Sequence, residues 1–348
     1  MKTLTIIFLF VLALPSYSRI LTVSNRPDSP GQYTSMTAVM SAVVMNDTIL
    51  VHGSPLNYGA FAVTQDNVVI IGTGHNPDKQ YPYTTSFTDI FVDANNAQLI
   101  GITVNSVAFT RSNFTMRRCK VLGSPSSSVA VQAATSGSSS DRNLLFESNV
   151  FTDSDPNILL WANRLGDVII IRNNVFSAPI TIHASSTLVT NCLIANNIFL
   201  KGPQAFNDVD HATISNNIFF GSSPVVGAAA TINYYNNISF QCLNDVFTVA
   251  PNITASNNLE GVDPQFVNYP GGGAVFSNLH DYNLAVGSPG IATGSDGRDR
   301  GVYGGFGTIF NMRGEPTIPI VTGVTITSPT TVAPGGTLTI TVTSKRVH

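Results

Sequence analysis

The sequence predicts an all-β fold, a parallel β-helix of about ten coils, on three observations. Short strings of the type Asn-Asn-aliphatic-Phe, with the variants Ser148-Asn149-Val150-Phe151, Asn236-Asn237-Ile238-Ser239 and Asn257-Asn258-Leu259-Glu260, recur along the middle of the chain, with the marker Asn at 149, 174, 197, 217, 237 and 258. Each string follows a β-prone run such as Val168-Ile169-Ile170-Ile171, and no helical periodicity intervenes. Only 11% of the 348 residues are charged, against about 25% in ordinary soluble domains, so Asn, Ser, Thr and Gly must solvate the surface.

In chain order, Met1-Lys2, the apolar run Leu4 to Leu14 and Pro15-Ser16-Tyr17-Ser18 predict a secretory signal removed after Ser18. The run is shorter than the roughly 20 residues needed to span a bilayer, and no later stretch reaches that length. The protein is therefore expected to be secreted or held at the cell surface. Met36, Val39, Met40, Val43 and Val44 repeat at helical spacing behind Thr34 or Ser35, which predicts an N-terminal capping helix over residues 35–45. Asn46-Asp47-Thr48 then turns into a first strand at Ile49-Leu50-Val51.

The repeat has a period of 20 to 25 residues. That is too short for a propeller blade, and it lacks the Leu-x-x-Leu-x-Leu spacing of leucine-rich repeats. A single coil cannot bury its apolar face alone, whereas coils stacked at the strand spacing of about 4.8 Å share one interior. Asn tolerates the left-handed conformation that a sharp turn demands, and stacked Asn amides can bond along the column, so these Asn residues are read as structural. The domain is expected to run over 19–319. Beyond it, 320–348 alternates apolar residues with Thr around Pro334-Gly335-Gly336. That pattern predicts a strand-rich extension: a hairpin docked on the body, or the opening of an immunoglobulin-like or sorting module cut short.

The net charge of −3, from 17 basic and 20 acidic residues without long runs of either sign, offers no footprint for nucleic acid, and membrane insertion is not expected. Cys119, Cys192 and Cys242 are odd in number and irregular in spacing, which suits free buried thiols rather than a disulfide framework or a metal knuckle.

Taken with Asp47-Thr48-Ile49-Leu50-Val51, His52-Gly53 and Tyr58, and with the closing strings Asp263-Pro264-Gln265-Phe266, Tyr282-Asn283-Leu284, Ser288-Pro289-Gly290 and Gly301-Val302-Tyr303-Gly304-Gly305, the Asn ladder resembles the right-handed, single-stranded parallel β-helix proteins of the pectin-lyase-like superfamily, over roughly residues 20–310. The resemblance implies a polysaccharide partner, acidic in most such enzymes, cleaved by β-elimination or hydrolysis in a groove along one sheet. The Trp-Ile-Asp-His and Arg-x-Pro-x-x-Arg strings of pectate lyases are missing, as is the polygalacturonase set, so no family residue carries over. Gly72-Thr73-Gly74-His75 lies near the N-terminal end and does not replace that set.

Candidate residues therefore come from the pattern itself. Pro179-Ile180-Thr181-Ile182-His183 aligns over Pro203-Gln204-Ala205-Phe206-Asn207, which sends Ile180, Ile182 and Phe206 inward and puts His183 and Asn207 on one outer face. Asp208, Asp210 and His211 follow directly and Lys201 shortly precedes. In this reading His183, Asp208 and His211 are catalytic and Asn207 and Lys201 bind substrate; solvated turn residues are the plainer alternative. No cofactor is certain; Ca²⁺ is the one the pattern allows, at Asp208 and Asp210. Arg172 stands one coil from Glu147 at the same ladder position, which suggests a surface ion pair, or else a lyase base at Arg172. Trp161, with Tyr33, Tyr58, Tyr81 and Tyr83, could offer sugar-stacking faces. The function expected is binding, with cleavage by a lyase or hydrolase, of extracellular polysaccharide. The alternative is a non-catalytic adhesive rod.

Overall fold

The computed structural model describes residues 18–79, 83–123, 130–133, 143–152, 157–162, 168–184, 191–226, 230–271, 273–307, 309–326, 331–332 and 334–346. The expected signal segment lies outside them, apart from Ser18.

The coils are parallel throughout. A first sheet stacks eleven strands, one per coil, from Ile20–Val23 to Ile253–Ser256, against the ten or so that the repeat predicts. Its registers are unshifted, as where Asn143–Glu147, Val168–Arg172 and Asn191–Ala195 lie side by side residue for residue. From Thr103–Phe109 onward the other solenoid strands form two rows that meet in that strand. Half of this strand pairs with the short strand Lys120–Val121, and the other half with Val131–Ala133. The short row continues through Val150–Phe151, Val175–Phe176, Ile198–Phe199, Ile218–Phe220 and Ile238–Phe240. The long row continues through Ile158–Ala162, Ile180–Ala184 and Phe206–Val209. This is a parallel β-helix.

Each Asn pair divides two tasks. The first member takes the left-handed turn, with φ of 54° at Asn173, 55° at Asn196, 57° at Asn216 and 56° at Asn236. The second turns inward, and its Oδ1 accepts both the backbone N–H and the Nδ2–H of the equivalent Asn one coil earlier. These bonds run at 2.8 and 3.0 Å from Asn197 to Asn217, and at 2.9 and 3.0 Å from Asn217 to Asn237. The other Nδ2 hydrogen goes to a strand carbonyl, as from Asn197 to Ile171. Upstream of Asn149, Arg118 takes the left-handed position and Cys119 the ladder position. Burial pushes all three thiols up to about 12, and none forms a disulfide.

The two apolar residues after each Asn pair face opposite ways. Phe151, Phe176, Phe199 and Phe219 stack in the interior at 4.8 to 5.1 Å. Val150, Val175, Ile198, Ile218 and Ile238 point outward and are nonetheless buried, because Phe276, Tyr282, Val302 and Phe310 of the closing segment cover them. Consecutive rather than alternating apolar residues mark a strand buried on both faces.

That closing segment runs back along the solenoid over the left-handed column. Asn236 donates to Thr293 O, Asn216 to Ser295 Oγ, Asn173 to Val302 O and Gly304 O, and Arg118 to Ile309 O and Glu315 O. Residues near 293 thus lie over late coils and residues near 315 over early ones.

The expected helix over 35–45 contracts to Met36–Met40, capped by Ser35, whose Oγ accepts from Ala38 N. Its periodicity persists further than its backbone does: Val43 is buried, but Val44 is exposed. In the extension, Pro319–Ile326 and Ile340–Arg346 pair antiparallel, with Val324, Ile326, Ile340 and Val342 exposed.

Candidate functional site

The predicted cluster does not converge. Phe206 pairs with Ile180 rather than Ile182, and a bulge at Asn207 brings Asp208 opposite Thr181, so Asn207 does not sit over His183. The inward set of Ile180, Ile182 and Phe206 holds, joined by Val209. Asn207 accepts from Gln204 Nε2 at 2.9 Å, and Lys201 is exposed. The chain then corners: His211 takes a left-handed φ of 51° and lines a shallow concavity of about 510 Å³ on the first sheet, with Ile170, Leu193 and Thr213. Asp210 staples this corner. Its Oδ1 accepts the N–H of His211 at 2.7 Å and of Thr231 at 2.6 Å, and its Oδ2 lies 3.2 Å from His211 Nδ1. Trp161 and His183 are register partners, but their side chains lie outside the described residues. Among the described residues no three His, Cys, Asp or Glu assemble into a metal site, and Asp208 and Asp210 do not form the core of one.

Arg172 and Glu147 are paired, as the ladder position predicts, but not on the surface. Glu147 is fully buried and held from both sides. Arg172 reaches its Oε1 with Nε at 2.8 Å and Nη2 at 2.7 Å, and Arg117 Nε lies 2.9 Å from its Oε2. Sequence reasoning identified the closing strings but not that Gly307 lies over this pair, where a Cβ would come within 2.5 Å of Glu147 Oε1, and so it missed the burial. Arg172 is thereby committed to structure, since removing it would leave the fully buried Glu147 carboxylate with Arg117 alone.

The chemistry gathers instead at the N-terminal end, in a cleft of about 590 Å³. That is ample for a small ligand. Five stretches of chain build it. The strand Thr48–Val51 leads into His52 and Gly53, and the strand Val69–Ile71 leads into Gly72 and Thr73. The turn at Arg26 to Ser29 supplies a rim, and Lys79 and Tyr83 come from the loop beyond His75. The returning end of the closing segment adds Glu315, Pro316 and Ile318.

Local bonds fix these groups. His52 donates its N–H to Val23 O at 2.9 Å, and its carbonyl accepts from Tyr58 Oη at 2.9 Å. Thr73 Oγ1 donates to Tyr83 O at 3.0 Å. Gly53 is required where Tyr83 crosses it, since a Cβ there would lie 2.3 Å from Tyr83 O. The Arg26 guanidinium sits 4.4 Å above the Tyr83 ring and is bound by Asp28. On the rim, Ser29 Oγ lies 3.3 Å from His52 Nδ1.

Electrostatically the cleft is unusual for this chain. Burial pushes the Lys79 amine down to about 8, against the smaller opposing attraction of Glu315. Behind the cleft, burial drives His75 down to about 3, helped by Lys120 and Lys79, and neither ring nitrogen has a hydrogen-bond partner. The closing segment seals His75 in through Gly314, where a Cβ would lie 2.2 Å from the ring.

Gly72, Thr73 and Tyr83 thus line the cleft, whereas Tyr81 lies outside the described residues. The signal that could have found the cleft is local polarity: Arg26, Asp28, Ser29, His52, Lys79 and Tyr83 fall within 58 residues of a chain with only 6 His and 17 Lys and Arg. No protein-family model matches the sequence, and no curated protein matches it significantly. Among solved structures the chain is similar to the crystal structure of pectate lyase Pel9A, at a TM-score of 0.39 and 13% identity, covering 83% of this chain and 96% of that one.

Proposed function

We propose that this is a secreted β-helix protein that binds an acidic polysaccharide at the N-terminal cleft and cleaves it by β-elimination. The observation that carries the reading is Lys79, an amine held in a ligand-sized cleft and pushed by burial down to about 8. Elimination needs a base for the proton α to a uronate carboxylate, and a cation to steady the charge that develops there. Neutral Lys79 takes the proton; Arg26 faces the carboxylate, and the Tyr83 ring offers apolar area to a pyranose. Two-carboxylate hydrolysis fits less well, because Glu315 is the only carboxylate among the described residues lining the cleft.

The experiment is incubation of the protein with polyuronates, following absorbance of unsaturated ends beside reducing ends, with Ca²⁺ or with a chelator. Unsaturated ends are expected, at a rate rising about tenfold per pH unit below pH 8 and levelling above it, as the amine loses its proton. Lys79→Met should lower that rate at least about 100-fold. Reducing ends alone would overturn elimination in favour of hydrolysis. Silence in both readouts across the panel would favour the adhesive rod.

A further inference from the structure

Lys79 and Arg26 do not exhaust the cleft. Its rim holds a hydroxyl and an imidazole in contact, Ser29 Oγ and His52 Nδ1 at 3.3 Å, both lining the same cavity. This is the reach at which a base activates a serine, slightly long as is usual in the absence of ligand. Neither group is placed by accident of a floppy loop. Ser29 stands on a turn closed by its own N–H to Arg26 O at 3.3 Å. Pro27 and Pro30 restrict that turn on either side, and the Arg26–Asp28 ion pair ties it. His52 follows directly on a core strand, with its backbone bonded on both sides. Leu50, Val51, Ile71, Pro316 and Ile318 make the neighbouring wall apolar, while Arg26 supplies positive charge.

We propose that Ser29 and His52 form a nucleophile–base pair that hydrolyses a short-chain carboxylic ester, such as an O-acyl group on a glycan hydroxyl. A small neutral acyl group suits the apolar wall, and the positive charge suits the oxyanion of a tetrahedral intermediate. With Nε2 carrying the ring proton, Nδ1 accepts the proton of Ser29 as Oγ bonds to the carbonyl carbon. The intermediate collapses by breaking the bond to the sugar oxygen, which leaves with the proton from Nδ1. Water then attacks the acyl-serine, passing a proton to Nδ1, and releases the carboxylic acid while Ser29 recovers its hydrogen.

The test uses the full chain with 4-nitrophenyl acetate and an acetylated glycan, and a fluorophosphonate label located by mass spectrometry. Saturable hydrolysis is expected, with a fluorophosphonate adduct on Ser29 that is lost in His52→Asn. Ser29→Ala and His52→Asn should each lower kcat/KM at least about 100-fold, with melting temperatures unchanged. Hydrolysis no faster than the blank, persistence in Ser29→Ala, or an adduct on another residue would overturn the proposal. The wild-type adduct is read directly, so the test decides even if a variant fails to fold. The inference shares the cleft with the elimination reading but not its chemistry, and the two fail separately. An aryl acetate carries no uronate, and an unlabelled Ser29 says nothing about unsaturated ends.

Discussion

The inner asparagine column and the N-terminal cleft both place polar side chains against an apolar body, with opposite outcomes. In the column each amide from Asn149 to Asn237 gives one hydrogen to its copy one coil away and the other to a strand carbonyl, and these residues are fully buried. In the cleft, groups from distant stretches meet without copies of themselves, so Lys79 is displaced from its ordinary ionisation and His75 behind it lacks a partner. Repetition satisfies polar groups, and the break in repetition leaves them with unspent capacity. Reactivity follows the second condition, which is why the mid-solenoid carboxylates and histidine, absorbed into a corner, make the weaker site.

The contrast can be broken most severely in the column. Asn197→Ala would strand the buried N–H of Asn174 and remove one bond each from Asn174 Nδ2, Ile171 O and Asn217 Oδ1. A loss on the order of 4 kcal/mol is expected in urea unfolding, whereas Asn258→Ala, at the half-exposed end, should cost roughly 1 to 2 kcal/mol. Equal losses at both positions would mean that the column does not act through burial.

A second prediction sharpens the polar side of the contrast. With the folded-state pKa of His75 near 3 against an ordinary 6.5, the unfolded chain takes up a proton below pH 6.5 that the folded chain refuses. Stability should therefore fall as pH drops from about 6.5 toward 3, with up to about 1.4 kcal/mol per pH unit traceable to this one ring. His75→Leu should flatten that share of the slope in unfolding midpoints taken at pH 7, 5 and 4. Parallel curves for the two proteins would show that the ring titrates freely.

The smallest expected effect is at the rim. Asp28 is largely exposed, so Asp28→Asn should leave the melting temperature nearly unchanged. It should nevertheless lower KM for a polyuronate several-fold, because it removes the carboxylate that competes for Arg26. An unchanged KM would remove Arg26 from substrate binding.

The same contrast explains what could be read from the chain in advance. The coils were legible because Asn173-Asn174-Val175-Phe176 and its copies state one local instruction repeatedly, and local periodicity is what a sequence displays. The shift at Asn207 was not legible, since a bulge changes register without changing composition. Nor was the burial of Glu147, which depends on a covering segment more than a hundred residues away. The cleft was hidden for the same reason: Gly72-Thr73-Gly74-His75 acquires meaning only when Glu315 arrives beside it.

The returning segment also changes what kind of solenoid this is. A stack of coils in contact only with nearest neighbours melts like a frayed row, each coil answering to the next. Here residues 293 to 315 bond to coil after coil from Asn236 back to Arg118, so one span of chain reports to nearly the whole row. It also sets an order of events in biosynthesis. The first coils leave the ribosome early, yet the wall at Glu315, Pro316 and Ile318 follows the whole solenoid in chain order, so the cleft closes only after every coil has been made.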